Sequence, residues 1–436
     1  MYLTRRFYIT FTAIILIIGL GYLFPWCFTL GKGLLVAFAV LIFTELVMLY
    51  AGKRMHAFRT CSDRFSNGDD NDVAIRLESS YAFPVRLEVI DEAPTIFQRR
   101  DISYKLSLRK LEGKTLHYKL RPTQRGMYDF GRIRVFVSTV TGMIQRRYTL
   151  GQPMVVKVYP SYLMLQKYEF MAISDSLTEQ GVKRVRRVGN HTEFEQIKDY
   201  VAGDDFRTIN WKASARRHQL MVNVYQDEKS QHIYNVIDSG RIMQQTFNGM
   251  TLLDYAINAS LVLSYIALKK SDKAGILPFC ENANTILPAD KRGDQMHRIL
   301  EMLYAHHTDF GETDYSALCV AVRRHISKRS LLIIYTNFDS PNAMERQLPY
   351  LRQLARQHCL LVVFFKDMET SDYVKVKPTS VEDYYRQVIA EKYLYEQRKI
   401  ASTLIKNGIH TLLTAPEALS VNVINKYLEL KTRNVI

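Results

Sequence analysis

Two long apolar stretches open the chain. Residues 7–24 contain no charge, and residues 34–51 are interrupted only by Glu45. Each stretch has 18 residues, so each helix would reach about 27 Å, close to the thickness of the hydrocarbon core. Residues 25–33 lie between them as a predicted tight turn that places Trp26 at interfacial depth. The pattern predicts a two-helix transmembrane anchor over residues 1–52, with helices at about 7–24 and 34–51.

A cleaved signal peptide is the alternative for the first stretch, but no small-residue cleavage site follows and the second stretch comes at once. The flanks set the orientation. Arg5 and Arg6 precede the first stretch and further Lys and Arg residues follow the second, whereas the turn holds only Lys32. The positive-inside rule therefore places both ends, and the soluble remainder, in the cytoplasm. A charged Glu45 would cost free energy inside a bilayer. We expect it to be protonated or paired within a helix cluster.

Residues 60–160 have the period-two alternation of strands. Apolar residues alternate with polar ones in runs separated by glycine turns, for example at Val73, Ile75, Leu77, Val85, Leu87 and Val89. About seven short strands without a long helical pattern predict an all-β segment, a β-sandwich. Its many basic residues are the expected composition of solvated outer faces.

Residues 161–230 form a connector that carries the densest motif of the chain. A basic run at 183–187 is compatible with a nucleic-acid contact or with attraction to anionic lipid, and it lacks the interleaved aromatic residues of a nucleic-acid surface. In the motif, residues 193–217, Gly203 is free to adopt positive φ, and Asp204 or Asp205 is suited to cap a following helix. Basic side chains near these carboxylates predict an internal ion-pair network.

No catalytic residues are predicted in the motif, because neither a nucleophile with its base nor a metal cluster accompanies it. We expect an ordering or docking motif made of Gly203, Asp204, Arg207, Trp211 and Arg216. Trp211 has two interpretations: a core residue, which we favour slightly, or a binding hot spot.

Residues 231–436 alternate short apolar runs with amphipathic helical patterns. That order predicts a doubly wound α/β domain with a mostly parallel sheet, in which ligands bind at the carboxyl ends of the strands. The chain has no glycine-rich phosphate loop of the Walker A type, so we expect no nucleotide cofactor.

The motif resembles the signature of the bacterial domain-of-unknown-function 58 (DUF58) family. The resemblance rests on Asp199, Gly203, Asp204, Arg207 and Trp211, on the alanine and arginine positions up to Arg216, and on residues 121–131 and 158–160 upstream. It implies a multi-pass protein of the bacterial inner membrane with a C-terminal von Willebrand factor A-like domain. It also implies a MoxR-type AAA+ ATPase as partner.

The resemblance further implies a Mg²⁺ site, the MIDAS of von Willebrand A domains, and this sequence carries a degenerate form of it. Asp238 and Thr313 match the family pattern, but Gly240 and Ile242 stand where hydroxyls belong, and Asn337 replaces a carboxylate. Ser239 cannot substitute, because neighbouring strand residues point to opposite faces. We expect Mg²⁺ binding to be weak or lost and no other cofactor. His306 and His307 lack further ligands at a usual spacing, so we expect no transition metal there.

Composition narrows the function classes. The five cysteines are far apart and form no C-x-x-C, so neither a zinc ribbon nor a disulfide framework is supported. A formal net charge of +16 favours an anionic partner or a nearby anionic membrane. We expect a membrane-anchored, non-enzymatic adaptor that docks an ATPase or its protein client. The alternative is a basic membrane protein that binds polyanions or nucleic acid, which a steep salt dependence of DNA binding would reveal.

Overall fold

The computed structural model describes residues 1–51, 55–97, 103–165, 193–202, 204, 206–226, 230–283, 285–433 and 435, with the side chains of 95, 193–196 and 224–226 excepted. The protein is a mixed α/β chain with several sheets, divided into two compact units, Met1–Leu163 and Met164–Ile436.

The N-terminal unit begins with two apolar helices, α1 (Arg5–Leu20) and α2 (Pro25–Tyr50). The predicted bounds of 7–24 and 34–51 are wrong, because the turn lies at residues 21–24 and residues 25–33 are helical. Pro25 explains the difference: at the first helical position its fixed φ favours helix initiation, and its missing N–H costs no hydrogen bond. The helices approach closely at Gly31, where a Cβ would lie 2.5 Å from Ile18 Cγ1.

Three sheets surround one core among the described residues of this unit. Their strand orders are β1-β10-β9-β5-β6, β2-β4-β7 and β3-β11-β8. Val73, Ile75 and Leu77 are fully buried, as their alternation predicts. The strands are β1 (Tyr2–Leu3), β2 (Met55–Cys61), β3 (Arg64–Ser66), β4 (Asn71–Ser79), β5 (Val85–Asp91), β6 (Ser103–Leu108), β7 (Gly113–Leu120), β8 (Gly126–Phe130), β9 (Ile133–Ser138), β10 (Ile144–Leu150) and β11 (Met154–Tyr159).

The helices and the sheets are joined at both ends of the helical pair. Strand β1, just before α1, pairs antiparallel with β10, so that Leu3 lies opposite Ile144. Near the other end, Glu45 of α2 is only 3% exposed, and its Oε1 accepts hydrogen bonds from Thr139 Oγ1, Thr141 Oγ1 and the Met143 N–H. The expectation that Glu45 pairs within a helix cluster is wrong, because these donors belong to the β9–β10 loop.

The C-terminal unit contains a six-stranded sheet of order β18-β17-β14-β19-β20-β21. All neighbours are parallel except the β17–β18 pair. Its strands are β14 (His232–Asp238), β17 (Lys273–Phe279), β18 (Leu287–Asp290), β19 (Leu331–Tyr335), β20 (Cys359–Phe365) and β21 (His410–Thr414), and a small hairpin consists of β15 (Thr246–Phe247) and β16 (Met250–Thr251).

Helices connect these strands. They are α4 (Leu252–Lys269), α5 (Gln295–Ala305), α6 (Tyr315–His325), α7 (Pro341–Gln357), α8 (Met368–Tyr373), α9 (Val381–Lys406) and α10 (Leu419–Thr432). Strands β19 and β20 are buried along their whole length, which explains why they read as continuous apolar runs rather than as alternating ones.

Length and composition would allow two helices in the described part of the chain to cross a membrane, Pro25–Tyr50 and Leu252–Lys269. They differ in burial, because 78% of the second is buried inside the protein but only 17% of the apolar 18-residue window of the first. The second is therefore the core helix α4 of the α/β unit. Helix α1 has 16 residues and would reach about 24 Å, so it falls short of a full span by itself.

Candidate functional site

The carboxyl ends of the central strands form the first candidate site. Strand β14 lies between β17 and β19, so the direction of winding changes beside it. Asp238 ends β14, and Thr336 and Asn337 directly follow β19. Thr313 lies two residues before helix α6. The fold thus brings the sequence-predicted residues Asp238, Thr313 and Asn337 to one edge of the sheet, where ligands of such sheets bind.

Hydrogen bonds surround the Asp238 carboxylate, which is 1% exposed. Oδ1 accepts from the Gly240 N–H at 2.9 Å and from Thr313 Oγ1 at 2.7 Å, while Oδ2 accepts from Thr336 Oγ1 at 2.7 Å. Thr336 Oγ1 also lies 2.9 Å from the Tyr315 hydroxyl. Burial raises the pKa of Asp238, and the three donors oppose that rise.

The site has no room for a side chain at position 240. A Cβ built on Gly240 would collide with Thr313 Oγ1, which occupies the space beside the carboxylate. Asn337 Oδ1 accepts a hydrogen bond from the Phe338 N–H at 3.1 Å. Ser239 points elsewhere, as expected, and its Oγ lies 2.7 Å from His306 Nε2.

A cleft of about 220 Å³ opens over this strand end. Its lining includes two arginines and two acidic residues, Arg241, Arg346, Glu312 and Asp339. Mg²⁺ prefers octahedral oxygen coordination with waters and carboxylates. The residues present do not fit it as they stand, because the threonine hydroxyls are turned to Asp238 and Gly240 contributes no oxygen. Among the described residues, no cluster of three His, Cys, Asp or Glu side chains could hold a metal ion.

The second candidate site is a hairpin built by the motif of residues 193–217. It consists of β12 (Glu193–Asp199) paired antiparallel with β13 (Met221–Gln226), with helix α3 (Trp211–Arg217) between them. The connector is therefore an ordered β-hairpin with a helical insertion over these residues. Residues 166–192, including the basic run at 183–187, lie outside the described residues, as do Gly203 and Asp205.

Asp204 fixes the turn after β12 rather than capping the helix. Its Oδ1 accepts from Lys198 Nζ at 2.8 Å and its Oδ2 from the Val201 N–H at 3.0 Å. The hydrogen bond from Lys198 lowers the pKa of Asp204, and the one from Val201 adds to the effect. The ion pair agrees with the expected network, and the residue's role is local ordering.

Asn210 caps helix α3, so the predicted cap at Asp204 is wrong, and the alternative at Asp205 lies outside the described residues. Asn210 Oδ1 accepts from the Ala213 N–H at 3.0 Å, and its Nδ2 donates to Asn223 Oδ1 on β13 at 2.9 Å. Ser214 Oγ in turn accepts from the Met221 N–H at 2.9 Å. These bonds hold the short helix against the hairpin without a large apolar core.

The hairpin presents aromatic and basic side chains to solvent. Phe206 and Trp211 are each 70% exposed, and Arg207 and Arg216 are exposed as well. The interpretation of Trp211 as a core residue is therefore wrong, because the helix is anchored by Asn210 and Ser214 and leaves the indole outside. Val201 and Leu220 of the same hairpin are exposed as well. We call the surface of Val201, Phe206, Arg207, Trp211, Arg216 and Leu220 the hairpin face.

Sequence reasoning missed three residues of these sites. Thr336 and Tyr315 complete the hydrogen-bond chain at Asp238, and the only signal for Thr336 was its position beside Asn337. Phe206 lies within the motif, but its apolar character suggested nothing about its exposure.

Comparison with known proteins gives one family match. Residues 196–388 match the family model described as protein of unknown function DUF58. That range includes the hairpin face and Asp238, Thr313 and Asn337. The chain is also 25% identical over 276 residues to the uncharacterized protein YeaD of Bacillus subtilis (strain 168), over 61% of this chain and 66% of the relative. The chain thus aligns with just under two thirds of that relative's length.

Two solved structures resemble part of the chain. The CARDB domain of a Pyrococcus furiosus protein, in complex with di-metal ions, is 16% identical and covers 25% of this chain and 94% of its own, with a TM-score of 0.19. A PapD-like domain of human CEP192 is 13% identical and covers 22% of this chain and 83% of its own, with a TM-score of 0.16. TM-scores this low do not establish a shared fold.

Proposed function

We propose that this protein is a membrane-anchored adaptor without catalytic activity of its own, and that it docks a partner protein through the hairpin face. The observation that carries the proposal is the exposure of two aromatic residues, Phe206 and Trp211, and two arginines, Arg207 and Arg216, on one hairpin. Aromatic residues and arginine are the side chains most enriched at binding hot spots. An ordered hairpin that holds them in solvent is suited to recognition rather than to core formation.

The apolar helices support the anchor. Many large side chains of α1 and α2 are exposed, among them Ile9, Leu16, Val36, Val40 and Phe43. A soluble protein rarely leaves so continuous an apolar surface in water. Helix α2, with 26 residues, reaches about 39 Å, enough to cross the hydrocarbon core. We propose that α1 inserts with it, which makes the protein a two-pass component of a bacterial inner membrane with its soluble units in the cytoplasm.

The resemblance to the DUF58 family supplies the rest of the proposal. We propose that the C-terminal unit is a von Willebrand factor A-like domain with a degenerate metal site, which the position of Asp238 and Thr313 at the switch in winding supports. We propose a MoxR-type AAA+ ATPase as the partner, and a protein client whose assembly or maturation is driven by ATP hydrolysis in that partner.

Co-purification from the native membrane tests the docking surface. The tagged full-length protein is compared with a Phe206→Ala/Trp211→Ala variant, and bound proteins are identified by mass spectrometry. We expect an AAA+ ATPase with the wild type. The affinity should fall about thirtyfold in the variant, the effect of losing one hot spot worth about 2 kcal/mol, and the yield of the ATPase should fall with it.

Val320→Ala is the matched control, because Val320 is an exposed apolar residue of α6 outside the hairpin face. It should leave the yield unchanged. Absence of any AAA+ ATPase from the wild-type sample would overturn the proposed partner. Full retention of the ATPase by the double variant would overturn the proposed docking surface.

A further inference from the structure

Strands β6 and β7 of the N-terminal unit each have one edge without a partner strand. β6 ends the five-stranded sheet and pairs only with β5, while β7 ends its own sheet and pairs only with β4. Residues 109–112 join the two strands, yet within the described residues the strands do not pair with each other. Alternate main-chain N–H and C=O groups along both outer edges are therefore open to an added strand.

A groove of about 290 Å³ lies between these two edges, and we call it the β6–β7 groove. Its lining includes Leu106 of β6 and Leu116 of β7, which pack against the core of the unit and remain partly exposed. The rings of Tyr104 and Tyr118 lie 5.6 Å apart, so side chains connect the two strands while their main chains stay unpaired. An apolar surface beside an open strand edge is the combination that extended peptides recognise.

The two strands around the groove are basic. β6 and β7 contain no acidic residue, and their basic residues are Lys105, Lys114, His117 and Lys119. Lys105 and Lys114 line the groove, are exposed, and form no ion pair or side-chain hydrogen bond with any described residue. Opposite charges on neighbouring strands attract, so acidic side chains are favoured in a strand that adds here.

Nearby acidic residues on the β6 side are already engaged. Glu88 lies opposite Lys105 in the β5–β6 register, but its Oε1 accepts a hydrogen bond from Ser103 Oγ at 2.9 Å. Glu112, in the turn between the strands, accepts a hydrogen bond from the Arg109 N–H. Neither carboxylate lines the groove.

On the β7 side, acidic residues compensate one end of the strand only. Asp72 lies opposite Lys119 in the β4–β7 register, and Asp70 lies 4.0 Å from Lys119 Nζ. Glu78 forms an ion pair with Arg76 at 2.8 Å. The uncompensated positive charge is therefore that of the two lysines at the groove itself.

We propose that the β6–β7 groove binds an extended segment of a partner protein in which acidic and apolar residues alternate, and that this segment adds as a strand to the open edge. Side chains of a strand alternate between its two faces, so the apolar set packs on Leu106 and Leu116. Lys105 and Lys114 attract the acidic set. The groove belongs to the N-terminal unit and the hairpin face to the C-terminal unit, so this proposal does not rest on the docking site proposed above.

An anionic lipid surface is the competing occupant. The Leu111 N–H in the β6–β7 turn donates to Tyr81 O, and the Tyr81 hydroxyl donates to Leu49 O near the end of α2. Lipid headgroups would neutralise the lysines. They would leave the apolar lining and the main-chain edges unused, so an extended peptide matches more of the groove.

A labelled peptide of alternating valine and glutamate tests the charge complementarity with the full-length protein in non-ionic detergent. We expect saturable binding that weakens about tenfold in Lys105→Glu/Lys114→Glu, because attraction becomes repulsion. Lys157→Glu/Lys328→Glu is the matched control, since it changes the net charge equally at exposed lysines outside the groove. A peptide of alternating valine and lysine should prefer Lys105→Glu/Lys114→Glu over the wild type and the control, which shows that the variant is folded. Equal loss of the glutamate peptide in both double variants would overturn the site.

Methylation of the peptide main chain tests strand addition. Only alternate N–H groups of an added strand face its neighbour, so N-methylation of every valine and N-methylation of every glutamate should differ: one peptide keeps the parent affinity and the other loses it. Equal affinity of the two methylated peptides would overturn strand addition. If no peptide binds the wild type and Lys105→Glu/Lys114→Glu reduces binding to vesicles containing phosphatidylglycerol, the groove is a lipid surface and the proposal is overturned.

Discussion

At the scale of single residues, Gly240 determines how the strand end is built. Because it has no side chain, Thr313 can approach the Asp238 carboxylate and donate to it. The sequence identified Asp238, Thr313 and Asn337 as neighbours through the resemblance to a known motif. It could not show that Thr336 would turn its hydroxyl inward, because that depends on how the chain leaves β19 after a fully buried strand.

Gly240→Ser should destabilise the protein by about 1–3 kcal/mol, the usual cost of overpacking. The added Cβ must displace Thr313 Oγ1 from its bond to Asp238, so the expected readout is a lower melting temperature. Gly293→Ser is the matched control, since a Cβ there meets nothing within 4 Å. Equal melting temperatures for the two variants would contradict this account of the site.

We expect His358 to make the folded protein less stable in mild acid. The side chain is buried after helix α7, its Nδ1 has no hydrogen-bond partner among the described residues, and burial lowers its pKa. The unfolded chain therefore binds a proton below about pH 6.5 while the folded protein stays neutral, so stability falls as pH drops through that value. His358→Leu should reduce the acid-induced fall in melting temperature, whereas the same change at the exposed His325 should leave it intact. A pH profile identical to wild type in His358→Leu would show that His358 does not contribute.

At the scale of elements, the apolar pattern predicted the two N-terminal helices but placed the turn between them at the wrong residues. The apolar stretches continue through the turn, so the pattern has no boundary there, and the helix start is set by Pro25. The hairpin of residues 193–226 was hidden for the opposite reason. Its first strand, β12, is mostly polar, and its helix is held by Asn210 and Ser214 rather than by a periodic apolar face. The parallel strands were predictable because they are buried on both sides.

Glu45 joins the helical pair to the β9–β10 loop, so its removal should loosen that junction. Glu45→Ala leaves the donors of Thr139, Thr141 and Met143 without this acceptor, at an expected cost of about 2 kcal/mol or more. Trypsin should then cleave faster at Arg146 or Arg147, just beyond the loop. Glu45→Gln retains one acceptor and should be intermediate. Thr44→Ala is the control, because the Thr44 hydroxyl bonds to Leu41 O within its own helix; cleavage as fast in Thr44→Ala would argue against the junction.

At the scale of the whole molecule, the arrangement of α1 and α2 restricts how the chain can meet a membrane. The β1–β10 pairing just before α1 and the Glu45 contacts near the end of α2 both belong to the β9–β10 region. The N-terminal end of α1 and the C-terminal end of α2 are therefore held on the same side of the helical pair. The arrangement depends on hydrogen bonds that sequence patterns do not reveal. The turn at residues 21–24 is consequently the point farthest along the chain from either junction.

If the helical pair inserts as we propose, the turn should reach the opposite face of the membrane. Tyr22, which is 95% exposed, lies in that turn, and Lys110 is exposed in the β6–β7 turn of the sheets. In intact bacterial spheroplasts, Tyr22→Cys should react with a membrane-impermeant maleimide, and Lys110→Cys should react only after lysis. The parent protein measures the background from the native cysteines. Labelling of Lys110→Cys in intact spheroplasts would reverse the orientation, and protection of Tyr22→Cys in both intact and lysed samples would mean that the turn stays within the bilayer. Labelling of Tyr22→Cys in intact spheroplasts, with labelling of Lys110→Cys only after lysis, requires that both helices cross the membrane completely and that their basic flanks stay in the cytoplasm.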